Sequence, residues 1–438
     1  MTRMGFSSGA PSDKKTRIER LLRELDEVLT EEYDDSEDPG TIDDIEAESD
    51  RVAESVRRIV ADKLLKKKQR QSQQQGCPRR WICSCGRSAR YAGLRSRQLV
   101  LRSGMHTIER AYFHCSSCHC GVSPLDTLLK LGPGQYSPPV AALMARLNTY
   151  LPDRQAAEEL RLLLGIEPSV STLQRYSRRA GLKIASEWNA QREQWRSQKL
   201  PESTEYPKRL TLSMDGVKLH VNGEWREAKI ATVYSYDGNR GVRGRFTATM
   251  ETSCEFGKRL PVLAHRAGVD HCRDMSVVAD GGPWIWQETA RYFPTSVQVL
   301  DFYHASQHLW EAARARFGDG TEEAKAWADS LKRLMFEEKQ AQLRQEIRAW
   351  QPRTKEKQTI RRRLLNYLLE HTDRMAYSSL KDKGYHIGSG AVEAACKNVV
   401  QSRMKRAGMR WSAAGAEAML HASSYFCSHG QVGFRQYV

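Results

Sequence analysis

The sequence predicts a multi-domain α/β protein. Three observations carry that prediction. The chain has 438 residues with 40% hydrophobic content, more than one ordinary domain holds. Its periodicity changes from helical to strand-like near residue 209, and it returns to helix after residue 302. The formal net charge of +16 favours a nucleic-acid partner. No apolar run approaches the roughly 20 residues of a membrane span, and residues 1–15 lack the apolar core of a secretion signal. A cytoplasmic, nucleoid-associated location and no membrane partner are therefore expected.

Residues 1–75 read as an N-terminal arm. Positions 1–15 are expected to be disordered. Residues 17–29 alternate charges around Leu21, Leu22, Leu25 and Leu29 at helical spacing. The acidic stretch 31–50 is expected to be mobile. Residues 51–75 return to helix and end in the basic run Lys66-Lys67-Lys68-Gln69-Arg70. Such a change of sign suits either a dimerising coil or a solvated helix.

Residues 76–132 form a zinc-ribbon-like module. Six of the ten cysteines lie between Cys77 and Cys120, and clustering in a chain without a secretion signal favours metal over disulfides. Cys83-Ser84-Cys85 and Cys115-Ser116-Ser117-Cys118 are separated by the strand-like runs 98–101 and 107–113. Two thiolate pairs on two turns supply the four soft ligands of one Zn²⁺: Cys83, Cys85, Cys115 and Cys118. The first pair is tightly spaced, with Ile82 where a ligand is usual. Cys77, His114, His119 and Cys120 remain alternatives.

Residues 133–200 have helix-turn-helix grammar. A helical run at 156–164 leads to Gly165, and Ser169 or Ser171 can cap a second helix at 172–179. Arg175, Arg178 and Arg179 on that helix can face DNA. Residues 186–208 read as a linker helix and loop.

Residues 208–306 begin the core. Runs 210–221, 227–236 and 244–252 are three successive strands, with turns at Asn222-Gly223 and Asp237-Gly238. A helix at 254–267, a strand at 275–279, a helix at 283–292 and a strand at 297–300 follow. Three antiparallel strands, then helix, strand, helix, strand is the order of an RNase H-like mixed five-stranded sheet. In that order the first strand adjoins the fourth, so Asp215 meets Asp280. Residues 307–383 are a helical insertion broken at Gly318-Asp319-Gly320. Residues 384–438 complete the core. There the loop Gly388-Ser389-Gly390 precedes a helix with Glu393 in its first turn, where the helix dipole favours an anion.

Three carboxylates in a basic chain suit two Mg²⁺ or Mn²⁺ ions, which prefer hard oxygen ligands. Asp215 is expected to bridge, with Asp280 and Glu393 each on one ion. Two such ions stabilise the attacking and leaving oxygens of an in-line displacement at phosphorus. The expected chemistry is water attack on a phosphodiester, then attack by the freed 3′-OH on a target. The helix after Glu393 becomes basic, and Lys397, Arg403, Lys405, Arg406 and Arg410 are expected to contact DNA. Trp284, Trp286, Trp310 and Trp411 can stack on unpaired bases or belong to the core.

In these residues the chain resembles the bacterial insertion-sequence DDE transposases of the ISKra group, relatives of the Mutator-like transposases. The resemblance covers nearly all of residues 75–430. It rests on Met214-Asp215-Gly216, Val278-Ala279-Asp280-Gly281, Asp301-Phe302-Tyr303-His304, Gly388-Ser389-Gly390-Ala391-Val392-Glu393 and the run 403–411. It implies a catalytic triad of Asp215, Asp280 and Glu393 and a helical insertion before the third member. It also implies Mg²⁺ or Mn²⁺, and binding to the double-stranded ends of a mobile element. Asp301-x-x-His304 resembles the Cys/Asp-x-x-His signature of Mutator-like enzymes. His304 then contacts the scissile phosphate, orients a ligand or is structural, and Asp301 rivals Asp280 as second metal ligand. Cutting two ends together implies a homodimer or larger assembly. Two further readings compete: a nuclease or resolvase without strand transfer, and a non-catalytic DNA-binding regulator.

Overall fold

The computed structural model describes residues 11–33, 38, 40–74, 80–237, 240–241, 244–430 and 434–437. Residues 1–10, Cys77 and Gly238 lie outside the described residues. The chain divides into two units, one of residues 1–99 and 103–129, the other of residues 100–102 and 130–438.

The first unit opens with helices α1 (Pro11–Glu32) and α2 (Ile42–Gln74). Two expectations change here. Residues 11–15 are helical, and residues 42–50 of the acidic stretch form the start of α2. A reciprocal cap explains the second change. Thr41 N–H donates to Asp44 Oδ2 at 2.9 Å, and Asp44 N–H donates to Thr41 Oγ1 at 3.4 Å, which satisfies two orphan donors. Further along α2, Asp62 pairs with the buried His106 at 2.6 Å. Ile45, Val56, Ile59 and Val60 of α2 are exposed. Strands β1 (Arg80–Ile82), β2 (Ser88–Leu101), β3 (Gly104–His114) and β4 (Gly121–Val122) follow in sheet order β1-β2-β3-β4, then α3 (Pro124–Leu128). β2 and β3 extend well beyond the expected runs 98–101 and 107–113.

The second unit begins with α4 (Pro138–Asn148), α5 (Asp153–Leu164) and α6 (Val170–Arg196). Ser169 caps α6 by accepting from Thr172 N–H at 3.3 Å. The expected linker helix is instead the continuation of α6. Leu173, Tyr176, Ala180, Ile184 and Trp188 recur at helical spacing and are all buried, so one apolar stripe holds the whole helix down.

The five-stranded sheet has the order β11-β10-β5-β6-β9, where β5 is Arg209–Val221, β6 Glu224–Tyr234, β9 Arg245–Thr249, β10 Asp274–Ala279 and β11 Val297–Leu300. β5, β6 and β9 are antiparallel neighbours; β10 runs parallel to both β5 and β11. A two-stranded ribbon, β7 (Tyr236–Asp237) and β8 (Arg240–Gly241), interrupts the expected second and third strands. The expected helix at 254–267 is split into α7 (Ser253–Gly257) and α8 (Leu260–Arg266). Pro261 suits the first turn of a new helix but has no N–H to continue an old one. α9 (Pro283–Tyr292) and β11 fall where expected.

β5 changes its buried face midway. Leu210, Leu212 and Met214 pack into one core, whereas Val217, Leu219 and Val221 pack into the other. Successive side chains alternate across a strand, so Asp215 shares the face of Val217 and Leu219. The insertion comprises α10 (Phe302–Phe317), α11 (Glu322–Phe336), α12 (Gln340–Ala349), α13 (Lys355–Glu370) and α14 (Tyr377–Asp382). The chain then returns as α15 (Gly390–Ala395), a π-helical segment (Cys396–Gln401), α16 (Ser402–Met404) and α17 (Ala413–His429). Val392, Ala395, Val399 and Val400 cover the Val217 face of the sheet.

Candidate active site and metal centre

The parallel ladder sets the first two carboxylates level. Its last pair is Val278↔Ser213, and two more residues along each strand are Asp280 and Asp215. Gly281 turns the chain immediately afterwards. Its φ is +101°, and a Cβ there would meet His371 Nε2 at 3.0 Å and Leu300 at 3.2 Å, so both conformation and space demand glycine. Tyr367 on α13 donates to the Asp280 carbonyl at 3.2 Å.

Asp215 is partly buried. Gly216 N–H donates to its Oδ1 at 2.6 Å and the Cys396 thiol to its Oδ2 at 3.2 Å. Burial pushes its carboxyl above the usual range and the Asp280 charge adds to this, while Cys396, Gly216 and His304 act the other way. Cys396 opens the π-helical segment on the same face. Burial raises its thiol far above the ordinary range, and Asp215, Glu393 and Asp280 all push it further. One buried thiol therefore feels all three carboxylates. Glu393 itself is exposed on the first turn of α15. Among the described residues, only a cysteine cluster brings three or more ligating atoms within 4.8 Å of one another. The three carboxylates do not close to that spacing.

Asp301 is not available as a metal ligand. It is 1% exposed, and its Oδ1 accepts from Tyr303 N–H at 2.6 Å and His304 N–H at 2.9 Å, capping α10. Its Oδ2 accepts from Ser389 N–H at 2.7 Å and from the Ser389 hydroxyl. Ser389 occupies the N-cap position of α15 without a side-chain cap bond; its hydroxyl is turned to Asp301 instead. Phe302 N–H also donates to Ile387 carbonyl at 2.9 Å. Asp301 thus holds the loop that delivers Glu393.

His304 is partly buried, with its ring 5.1 Å from that of His308. His308 lies 4.5 Å from Tyr367, which lies 4.8 Å from His371. Burial lowers the His308 pKa, aided by the His304 charge, and burial lowers that of His371. Cys396, His308, Tyr367 and His371 were not singled out from the sequence. The spacings His304/His308 and Tyr367/His371 put each pair on one helix face, a signal present but unread.

The basic residues expected to bind DNA fall into three sets. Arg175, Arg178, Arg179 and Arg410 line one cavity of about 840 Å³ between α6 and the segment entering α17. Lys397, Lys405 and Arg406 are exposed elsewhere. Arg403 corrects the expectation. It is 2% exposed, donating to the Asn148 carbonyl at 2.7 Å and pairing with Asp153 at 2.8 Å. Its guanidinium joins α16 to the α4–α5 corner, because a buried charge is retained only when paired. Trp286 is buried, Trp284 and Trp310 pack against core clusters, and Trp411 lines the cavity.

In the first unit, Cys83, Cys85, Cys115 and Cys118 are the ligating group. Cys83 Sγ lies 3.5 Å from Cys118 Sγ, and Cys85 Sγ 3.7 Å from Cys115 Sγ. Four thiolates about 2.3 Å from one tetrahedral zinc would stand about 3.8 Å apart, so the cluster could hold such a metal. The two turns are related. Cys83 N–H donates to Arg87 carbonyl at 2.8 Å and Cys115 N–H to Cys120 carbonyl at 2.9 Å. The tight Cys-x-Cys spacing is accommodated because the first turn is one residue shorter. Backbone N–H groups of Cys118 and Ser117 hold the Cys115 thiol down at about 6, which favours the ligating thiolate. His114, His119 and Cys120 stand outside the four, and Ile82 is exposed.

No protein-family model matches this sequence, and no curated protein matches it. No helix among the described residues is long and apolar enough to cross a membrane.

Proposed function

We propose that this protein is a DDE transposase that binds the ends of a mobile DNA element and carries out strand cleavage and strand transfer. Geometry carries this: Asp215 and Asp280 stand level along adjacent parallel strands, and the helix bearing Glu393 packs on the sheet face that Asp215 shares. The strand order and directions of the five-stranded sheet support an RNase H-like core, and the α5–Gly165–α6 pair, with arginines on its second helix, supports a DNA-facing helical hairpin. The raised Asp215 carboxyl opposite Asp280 is the environment that a divalent cation would relieve. Asp215, Asp280 and Glu393 would hold Mg²⁺ or Mn²⁺, which when bound would neutralise charge at the phosphorus and activate the attacking oxygen. His304, whose charge acts on Asp215, would donate to a phosphate oxygen, and Asp301 positions Glu393. Basic residues on α6 and after α15 bind phosphates, and assembly as a dimer or larger brings two ends together. The exposed seam Ile45, Val56, Ile59 and Val60 on α2 is one surface suited to that.

Cleavage of element-end DNA in Mg²⁺ tests the reading. Wild type should cut, and Asp215→Ala should bind equally but lose on the order of 10³-fold in rate, since several kcal/mol of charge stabilisation disappear. Equal cutting by both would remove the triad. Binding should weaken steeply with salt, because phosphate contacts release counterions.

A further inference from the structure

We propose that the basic cleft beside α6 holds a short unpaired DNA strand, so that α6 serves a displaced end rather than a duplex major groove. This rests on the transposase reading. Gly181 on α6 sets the geometry: a Cβ there would lie 2.0 Å from the Ala418 carbonyl oxygen. α6 and α17 therefore touch backbone to backbone, and beside the crossing lies the cavity of about 840 Å³.

One wall is a single face of α6. Arg175, Arg178, Arg179, Leu182, Lys183 and Ser186 line it, and their spacing of three and four residues puts them side by side. The other wall carries Met409, Trp411, Ser412 and Met419. The indole N–H of Trp411 donates to the Met404 carbonyl at 3.0 Å, which fixes the ring's orientation.

Charge chooses the class of ligand. Asp153 is the one carboxylate among the described lining residues, and it is already bound by Arg403 at 2.8 Å and by Gln174 at 2.6 Å. Burial and the Arg179 charge both hold the Lys183 pKa below its ordinary value. The cleft is thus short of negative charge and suits phosphate.

Shape chooses between duplex and strand. A reading helix must project into a groove about 12 Å wide, yet the basic face of α6 is walled by Met409–Ser412. The cavity volume falls within the roughly 300–1,000 Å³ range of sites that enclose small ligands. An unpaired strand offers both the phosphates that the arginines need and flat base faces for Trp411, Met409 and Leu182.

Fluorescence anisotropy without divalent metal tests this. The probes are a flush-ended duplex, the same duplex with a four-nucleotide single-stranded tail, and thymidine monophosphate as competitor. The variants are Arg178→Glu, Leu182→Trp to fill the cleft without changing charge, and Lys325→Ala on the exposed side of α11 as control, each checked for an unchanged melting temperature. The tailed probe should bind about tenfold tighter than the flush one. Leu182→Trp and Arg178→Glu should abolish that gain, Leu182→Trp should leave flush binding within about threefold, and Lys325→Ala should change neither. Equal binding of tailed and flush probes, unaffected by Leu182→Trp, overturns the cleft proposal and leaves the transposase reading standing. Displacement of the tail by thymidine monophosphate at equal affinity identifies a free nucleotide and overturns it as well. A wild-type protein that binds neither probe defeats both readings.

Discussion

Asp215 stands in tension with its surroundings. Burial first, then Asp280, raises its pKa, so the folded state holds its proton more tightly than the unfolded chain. The stability tied to that proton is complete below the ordinary aspartate pKa of about 3.9 and is lost as pH rises through the higher folded value. Asp215→Asn should accordingly raise the metal-free melting temperature at neutral pH by about 2 °C, with no gain near pH 3. Mg²⁺ should stabilise wild type but not the variant. Thermal melts across pH, with and without Mg²⁺, check both. Asp301 is the opposite case, a carboxylate whose four bonds all lie within the protein. Asp301→Ala strands buried N–H donors and should cost about 3 kcal/mol, read by denaturant unfolding. The placement of Asp280 and Glu393 was legible because Asp280-Gly281 follows a strand and Glu393 lies in the first turn of a helix, while Asp215 showed only as an acid inside a strand-like run. The role of Asp301 was not, since its partner Ser389 lies 88 residues on, and no local period announces such a bond.

At the scale of elements, close packing replaces charge as the deciding term. Gly181→Ala drives a methyl group into the Ala418 backbone and should destabilise by about 2 kcal/mol, measurable by the same unfolding assay. α17 is anchored to β9 by Glu417, which accepts from the Thr249 hydroxyl, from Met250 N–H at 2.8 Å and from His421 at 3.1 Å. Burial alone would raise its pKa, but these donors hold it at about 2. The stability it contributes is present above the ordinary glutamate pKa of about 4.3 and is lost as pH falls toward 2. Glu417→Gln should cost about 2 kcal/mol at pH 7 and almost nothing near pH 2. Elements with sharp local punctuation were readable: Pro283 begins α9, and β11 is a short apolar run. Boundaries decided by tertiary contact were not. α6 continues through Arg196 because Ile184 and Trp188 are buried, and the 254–267 helix divides where Pro261 enters.

The whole molecule has two units of different material. The first depends on four thiols around a small core of Ala89, Phe113, Cys83 and Cys115, whereas the second buries both faces of a sheet. A strong chelator should melt the first unit well before the second, giving two calorimetric transitions where metal-loaded protein shows a more stable first one. Elemental analysis should find about one zinc per chain. The first three strands were legible because their turns are local, and the fourth was expected beside the first only from the RNase H-like order, a pairing the ladder has, but the relation of 302–387 to the sheet could not be read. That stretch leaves at Asp301–Phe302 and returns at Ile387–Ser389, where Phe302 bonds Ile387 and Asp301 bonds Ser389. Its entrance and exit are a single doorway. The insertion is nevertheless fastened beyond those two posts: Tyr367 grips the Asp280 carbonyl and Leu364, Leu368 and Tyr377 share one core with Val278 and Leu300, so shortening it would unpack the strand that leads to Asp280.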